Sequence, residues 1–440
     1  MERSRSAAYA RTLSTLIQAQ TVSAVGQTDL SKFTAFHVLL KKTFPCLFAA
    51  AAAEEFDGSL IIRWPGKDSA KNPVLLLSHH DVVEATGSWA HEPFSGDIAD
   101  GKVWGRGTLD TKGNLWAMLQ AADELAAGGF VPARDVYFES ACNEETDGAG
   151  ADAISRALQA RGLHFFMTLD EGGMMMQSPI AGVDGPFAMV GVGEKGCADL
   201  KFIARSNGGH ASTPGKNTPL VRLGKFMAAV EKSDIFESKM SDVVAEMFAR
   251  MAPHMRGGMK LLCGNLWLTR GLLTKVLPSV SPAAGAMLKT TLAFTMSHGS
   301  EGFNVLPQEA WVVGNMRFSH HQGSKASIEA VTELAKKYDI ETEILSPGFA
   351  SPVADYRGEP FRLVEKAIHA VFPHTYVSPY IMTGASDSRF FGRVCDDCIR
   401  FAPFLISDQQ MGSMHGLNEN VDVETLAPAV DFFKFIMREI

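Results

Sequence analysis

The chain has 440 residues, 46% of them hydrophobic and 20% charged, and a net charge of −8. That length exceeds one ordinary core and predicts two domains in a globular protein able to bury substantial apolar surface. The negative balance argues against nucleic acid or an anionic membrane as the main partner, and no apolar stretch approaches the ~20 residues of a membrane span.

Residues 5–45 read as helical, with apolar positions at Leu13, Leu16 and Ile17, then at Phe33, Phe36, Leu39 and Leu40. The alanine-rich stretch from Cys46 to Ala53 is expected to continue as a buried helix. No secretory signal is evident in the first ten residues, and six scattered cysteines suit free thiols, so the expected location is the cytoplasm. From about residue 57 to 190 strands and helices alternate. The strands are Leu60-Ile61-Ile62, Val74–Leu77, 136–141 and 165–169; the helices lie near 113–128 and 149–161. Such alternation is the signature of an α/β layer fold. The pattern changes after the glycine-rich run 191–196, where strands at 199–204 and 310–318 and helices at 220–231 and 325–337 suit a smaller inserted α+β unit. The Met-rich segment 235–300 is helix-like but unplaced. Past Pro352, a helix at 360–371 and apolar segments at 380–382 and 399–404 are expected to rejoin the first layer.

Three of the strands run directly into metal-binding side chains. Val74–Leu77 leads to Ser78-His79-His80-Asp81, the strand at 136–141 to Asn143-Glu144-Glu145, and that at 165–169 to Asp170-Glu171. Ligands of open α/β sheets bind at the carboxyl ends of strands, so these imidazoles and carboxylates point to a metal site. His79 and Asp81, two residues apart, share a face, so His79 can bind metal while Asp81 orients it or the neighbouring base. His80 points the other way and reads as structural. In Gly105-Arg106-Gly107-Thr108-Leu109-Asp110-Thr111-Lys112-Gly113, glycines crowd a single Asp, whose two oxygens could bridge two metals about 3.5–4 Å apart. Of Glu144 and Glu145, adjacent and therefore divergent, one can bind metal while the other serves as base. Asp170 and Glu171 repeat the device, and either could be the ligand. His415 stands in a late loop, isolated from any apolar face. Cys395-Asp-Asp-Cys398 has no second pair to complete a zinc site and reads as coincidence.

Taken together, S-H-H-D-V-V, W-A-H-E-P-F-S-G, G-R-G-x-x-D-x-K-G, N-E-E-T-D-G, D-E-G-G, G-G-H-A-S and H-G-L-N-E resemble the dinuclear-zinc aminoacylase/carboxypeptidase family. Its members include aminoacylase, acetylornithine deacetylase, succinyl-diaminopimelate desuccinylase and glutamate carboxypeptidase. The order of the motifs and the long insert are most similar to the Gly-X carboxypeptidase (carboxypeptidase S) branch. The resemblance runs from about residue 10 to the C-terminus. It implies an α/β zinc-peptidase-like catalytic domain with a mixed sheet and flanking helices, residues 1–192 and 351–440. An α+β lid or dimerisation domain, residues 193–350, would be inserted into it.

By the same resemblance, two Zn2+ per chain are expected, with cobalt or manganese as substitutes. Asp110 would bridge them, His79 and the acid from Asp170-Glu171 would complete one site, and Glu145 with His415 the other. Glu144 matches the general base and Asp81 the orienting carboxylate. The Asp110–Thr111 peptide falls where the family has a non-proline cis bond. His210 matches a lid histidine that reaches a partner subunit's oxyanion, in a homodimer formed through the lid. Arg389 and Arg317 are candidate clamps for a substrate carboxylate, and Asn304 falls in the lid's second strand region. One departure is Glu84, where the family often has Pro. The implied reaction is hydrolysis of an amide beside a free α-carboxylate, in a small peptide. The alternatives are an N-acyl amino acid deacylase on the same scaffold and, from another class, a metal-free binding relative.

Overall fold

The short apolar runs form the middle of a mixed ten-stranded sheet in the computed structural model, which describes residues 2–180 and 182–440. Val74–Leu77 lies between Val136–Ser140 and Met167–Asp170, parallel to both, with Val136–Ser140 antiparallel to Ser59–Trp64 on its far side. Beyond Met167–Asp170 come Cys398–Arg400 and Phe187–Glu194, the latter also paired in parallel with Tyr376–Met382. Alternation along the central strands sorts their side chains onto two faces. Val74, Leu76, Phe138 and Leu169 join the larger core, while Leu75, Leu77 and Tyr137 join a smaller one with Ile154 and Leu158 of the helix Ala149–Ala160. The helix Lys112–Ala127 is buried along most of its length and packs against the C-terminal helix Val423–Glu439. A Cβ on Gly113 would stand 2.1 Å from the Thr108 carbonyl oxygen, so glycine lets this helix start directly against the loop that carries Asp110.

A separate antiparallel sheet of four strands has the order Thr291–His298, Glu309–Phe318, Gly196–Arg205, Glu341–Ser346. The helices Pro219–Lys232 and Gly323–Lys336 cover one face with Leu223, Phe226, Ile328 and Val331. Its strands Thr291–His298 and Glu341–Ser346 went unread in the sequence because most of their positions are exposed, which blurs the alternation.

The unplaced segment 235–300 supplies four helices, Asp242–Met251, Gly257–Gly264, Leu266–Val280 and Pro282–Leu288. Their buried methionines and leucines, Met247, Met251, Leu273, Leu277 and Leu288, belong to the larger core, not to that of the four-stranded sheet. Two expectations need correction. The helical reading of residues 5–45 holds for Glu2–Ile17 and Ser31–Thr43 but not for the stretch between them, 18–30. The helix expected over 46–53 stops at Ala50, with Leu47 its buried residue, and Ala52–Phe56 is an exposed edge strand. Asp57 and Gly58, both at positive φ, make a tight hairpin turn that pairs this strand with Ser59–Trp64.

Candidate metal centre

Asp110 is held in place before any ligand is considered. Glu419, fully buried, accepts hydrogen bonds from the backbone N–H of Leu109 and Asp110 through Oε1, at 2.8 and 3.1 Å. Its Oε2 accepts from Gly107 N–H and from Arg106 Nη1, at 3.1 and 2.8 Å. Arg106 Nη2 also donates to the Gly416 carbonyl, which ties the Asp110 loop to the His415 loop. The Asp110–Thr111 peptide is cis. Glu419 closes the late H-G-L-N-E motif, yet its spacing from residues 107–110 hides the pairing that only folding creates.

The two oxygens of Asp110 face two groups. Oδ1 lies 3.1 Å from His79 Nε2, and Oδ2 lies 2.9 Å from His415 Nε2, which is 3.0 Å from Glu145 Oε2. Ligand atoms of His79, Asp110 and Glu145 fall within 4.8 Å of one another. Asp81, beneath them, does more than the sequence indicated. Its Oδ1 accepts from Glu144 N–H and its Oδ2 from Glu145 N–H and Ser23 Oγ, so one buried carboxylate fixes the backbone of both glutamates. His79 Nδ1 packs against the same residue, 3.0 Å from the Asp81 carbonyl oxygen. His80 points away, bonded to Ser140 Oγ and stacked on Phe36, as its parity predicts.

Glu144 diverges from Glu145 toward Arg389, whose Nη1 stands 3.5 Å from Oε1. Arg389 is aimed by its own bond to the Ser386 carbonyl. Ser386 in turn gives its N–H and hydroxyl to Glu194, which forms a buried ion pair with Arg400. Ser386 belongs to the run Gly384–Arg389, which by the family resemblance falls in a substrate-side loop; the roles of Glu194 and Arg400 were not read from sequence, where a Glu and an Arg within apolar strands were the available signal. Asp170 spends its oxygens on backbone, Oδ1 accepting from Glu171 N–H and Oδ2 from Ser388 N–H. Glu171 instead sits among the charges of Asp170, Asp110, His79 and Glu144.

The electrostatics follow from crowding buried acids. Burial, against the pull of His79 and Arg389, pushes Glu144 up to about 7. Burial together with Asp170 and Asp110 pushes Glu171 well up. Hydrogen bonds that the His415 imidazole donates to the Asp110 and Glu145 carboxylates raise it to about 10. Burial would raise Asp110, but its bonds to the two histidines outweigh that and hold it down. Such a surplus of buried carboxylate is what a divalent cation relieves. Glu145 Oε1, buried without a hydrogen-bond partner, is a free ligand atom at the same place. These nitrogen and carboxylate donors around Asp110 fit a divalent metal.

Three predicted residues lie elsewhere in the chain. His210, in the short strand Gly209–His210, is exposed and bonds Ser212 through Nδ1. Asn304 accepts from Ala211 N–H through its backbone carbonyl beside that strand. Arg317, on Glu309–Phe318, bonds Asn315 Oδ1.

Comparison with known proteins gives a consistent result. The profile of peptidase family M20/M25/M40 matches residues 75–439. A probable carboxypeptidase S-like 2 protein of Dictyostelium discoideum is 30% identical over 417 residues, 92% of this chain and 79% of that protein. The human N-fatty-acyl-amino acid synthase/hydrolase PM20D1 is 29% identical over 406 residues, 90% of this chain and 80% of that protein. Among solved structures, human carnosine dipeptidase 1 superposes with a TM-score of 0.70 at 14% identity, covering 100% of this chain and 97% of the other. An M20 family metallo-carboxypeptidase of Sulfolobus solfataricus gives 0.70 at 16% identity, covering 98% of each chain.

Proposed function

The chain belongs to peptidase family M20/M25/M40, and on that footing we propose that it hydrolyses an amide bond beside a free α-carboxylate. The observation that carries this reading is the convergence of His79, Asp110, Glu145 and His415 on one point, with Glu144 beside them and free of that cluster. Two divalent metals, in our reading zinc, would be held by His79, Asp110, Glu145, His415 and Glu171, with Asp110 shared. Asp170 is the less suited of the acid pair, because both of its oxygens already serve backbone amides. When bound, such a pair supplies Lewis-acid polarisation of a carbonyl and lowers the pKa of water toward neutrality.

The remaining chemistry belongs to the chain itself. Glu144, held near 7 and oriented through Asp81, takes the proton of the attacking water and returns it to the departing nitrogen. Arg389, turned toward Glu144 by Ser386, is placed to hold a substrate carboxylate in bidentate fashion. Within residues 193–350, the four-stranded sheet and its two helices act as a lid and join two chains, and His210 of one chain steadies the oxyanion in the other. The exposed edge strand Thr291–His298 and the exposed Leu220, Val221 and Met296 support that assembly, since such edges and apolar side chains favour cover.

The relatives named carboxypeptidase S-like support the reading that this chain cleaves peptides. The relatives named N-fatty-acyl-amino acid synthase/hydrolase favour a second reading, N-acyl amino acids cleaved at the same bond type. Assaying purified, metal-loaded protein against dipeptides and a ladder of N-acyl amino acids separates the two. Metal content after dialysis is expected near two ions per chain. Full activity in metal-free protein would overturn the reaction itself.

A further inference from the structure

The helix Leu266–Val280 is apolar on both of its sides. Leu273 and Leu277 enter the larger core, while Trp267, Leu268, Leu272 and Val276 are 84%, 70%, 56% and 42% exposed on the other side. A helix hydrophobic all round ordinarily lies inside a core or against an apolar partner. The preceding helix Gly257–Gly264 extends the surface with Leu261, 70% exposed. Charge on this segment also departs from the rest of the chain. Residues 247–300 contain Arg250, Arg256, Lys260, Arg270, Lys275 and Lys289 but no Asp or Glu, in a protein of net charge −8. Arg256 and Arg270 are paired with Asp184 and Asp242 at the rim. Lys260 and Lys275, both exposed, have no acidic partner among the described residues.

We propose that the exposed face of Gly257–Gly264 and Leu266–Val280 docks on the surface of an anionic lipid bilayer. Exposed Trp and Leu flanked by unpaired lysines suit an interfacial helix, whose apolar side sinks to the acyl boundary while the lysines reach the headgroups. Lipid fits better than a second copy of the chain. In a two-fold contact this face would meet a copy of itself, and between residues 247 and 300 neither copy offers an acid to the other's lysines. No described helix is long and apolar enough to cross a membrane, so the contact is one of lying on the surface.

Co-sedimentation tests this on the intact protein. Wild type is expected to pellet with vesicles of equal parts phosphatidylcholine and phosphatidylglycerol, and less with phosphatidylcholine alone. Leu268→Glu/Leu272→Glu should weaken binding by more than about tenfold, since each leucine loses the burial it gained. Lys260→Glu/Lys275→Glu should weaken binding to anionic vesicles by about fivefold or more per site and leave binding to phosphatidylcholine unchanged. All of these positions are exposed, and retained activity on a short-chain soluble substrate would show that the variants fold. Absence of vesicle binding, binding indifferent to both variants, or a change in oligomeric mass caused by the leucine variant would overturn the assignment. Binding is scored without turnover, so its failure is distinct from failure of the proposed reaction.

Discussion

The loops at the carboxyl ends of the ten-stranded sheet and those of the four-stranded sheet carry their polar residues in opposite ways. In the first, Asp81, Glu419 and Asp170 are buried carboxylates that accept from backbone N–H groups, which fixes where the neighbouring acids and histidines stand. In the second, the His210 side chain is exposed and is hydrogen-bonded to Ser212, two residues away. Pre-organisation of the first kind makes a reaction centre, because the groups need no rearrangement when charge develops. The second kind makes a surface that becomes functional when something is brought to it. In the proposed reading, the metal-binding and proton-transfer groups lie in one chain, and carbonyl stabilisation by His210 is the part that depends on assembly.

The sharpest way to break that division is to separate the two adjacent glutamates. Glu144→Gln keeps shape and the backbone bond to Asp81 but cannot accept a proton, so turnover should fall by about 10²–10⁴-fold with metal content unchanged. Glu145→Gln should instead reduce bound metal, because its carboxylate lies 3.0 Å from His415 and carries the unpartnered buried oxygen. Metal analysis alongside initial rates distinguishes the two, and the reverse pattern would exchange their roles.

A smaller effect tests whether the second region works through assembly. His210→Ala should lower turnover by about 10²–10³-fold, the scale of losing one oxyanion donor, while metal content stays intact. Mixing His210→Ala with Glu144→Gln chains should then recover activity in mixed dimers, where one centre draws an intact base and an intact histidine from different chains. If subunits exchange and no activity returns, His210 has no role across the interface.

The two regions also differed in how far they could be read in advance. The strand ends were legible because buried strands are continuous apolar runs, and charges that interrupt them stand out: His79, Asp81, Glu144, Glu145 and Asp170 all sit at such breaks. His80 was legible from parity alone. Glu419 and Glu194 were not, since their roles come from pairing with Leu109–Asp110 and Ser386, far away along the chain. Segment 235–300 resisted placement because its helices carry apolar residues on more than one side, so periodicity does not say which side meets the core. Net charge hides a local feature for a related reason: it averages an acid-free stretch of 54 residues into an acidic whole.

The smallest expected effect decides which region grips the substrate's carboxylate. Arg389 is in the first, partly buried and 3.5 Å from Glu144; Arg317 is in the second, bonded to Asn315. Lysine keeps the charge but loses the planar fork that meets a carboxylate with two parallel bonds. An Arg389→Lys variant should therefore raise KM by about tenfold and leave kcat nearly unchanged, the mark of binding shared by ground and transition states. Arg317→Lys should change neither if the first region holds the carboxylate alone. A rise in KM confined to Arg317→Lys would move substrate recognition into the four-stranded sheet, and the first region would then be a metal and proton-transfer centre that waits for the second to deliver its substrate. A fall in kcat with Arg389→Lys would mean something else again: that the guanidinium's main partner is Glu144, and that it serves by tuning the base.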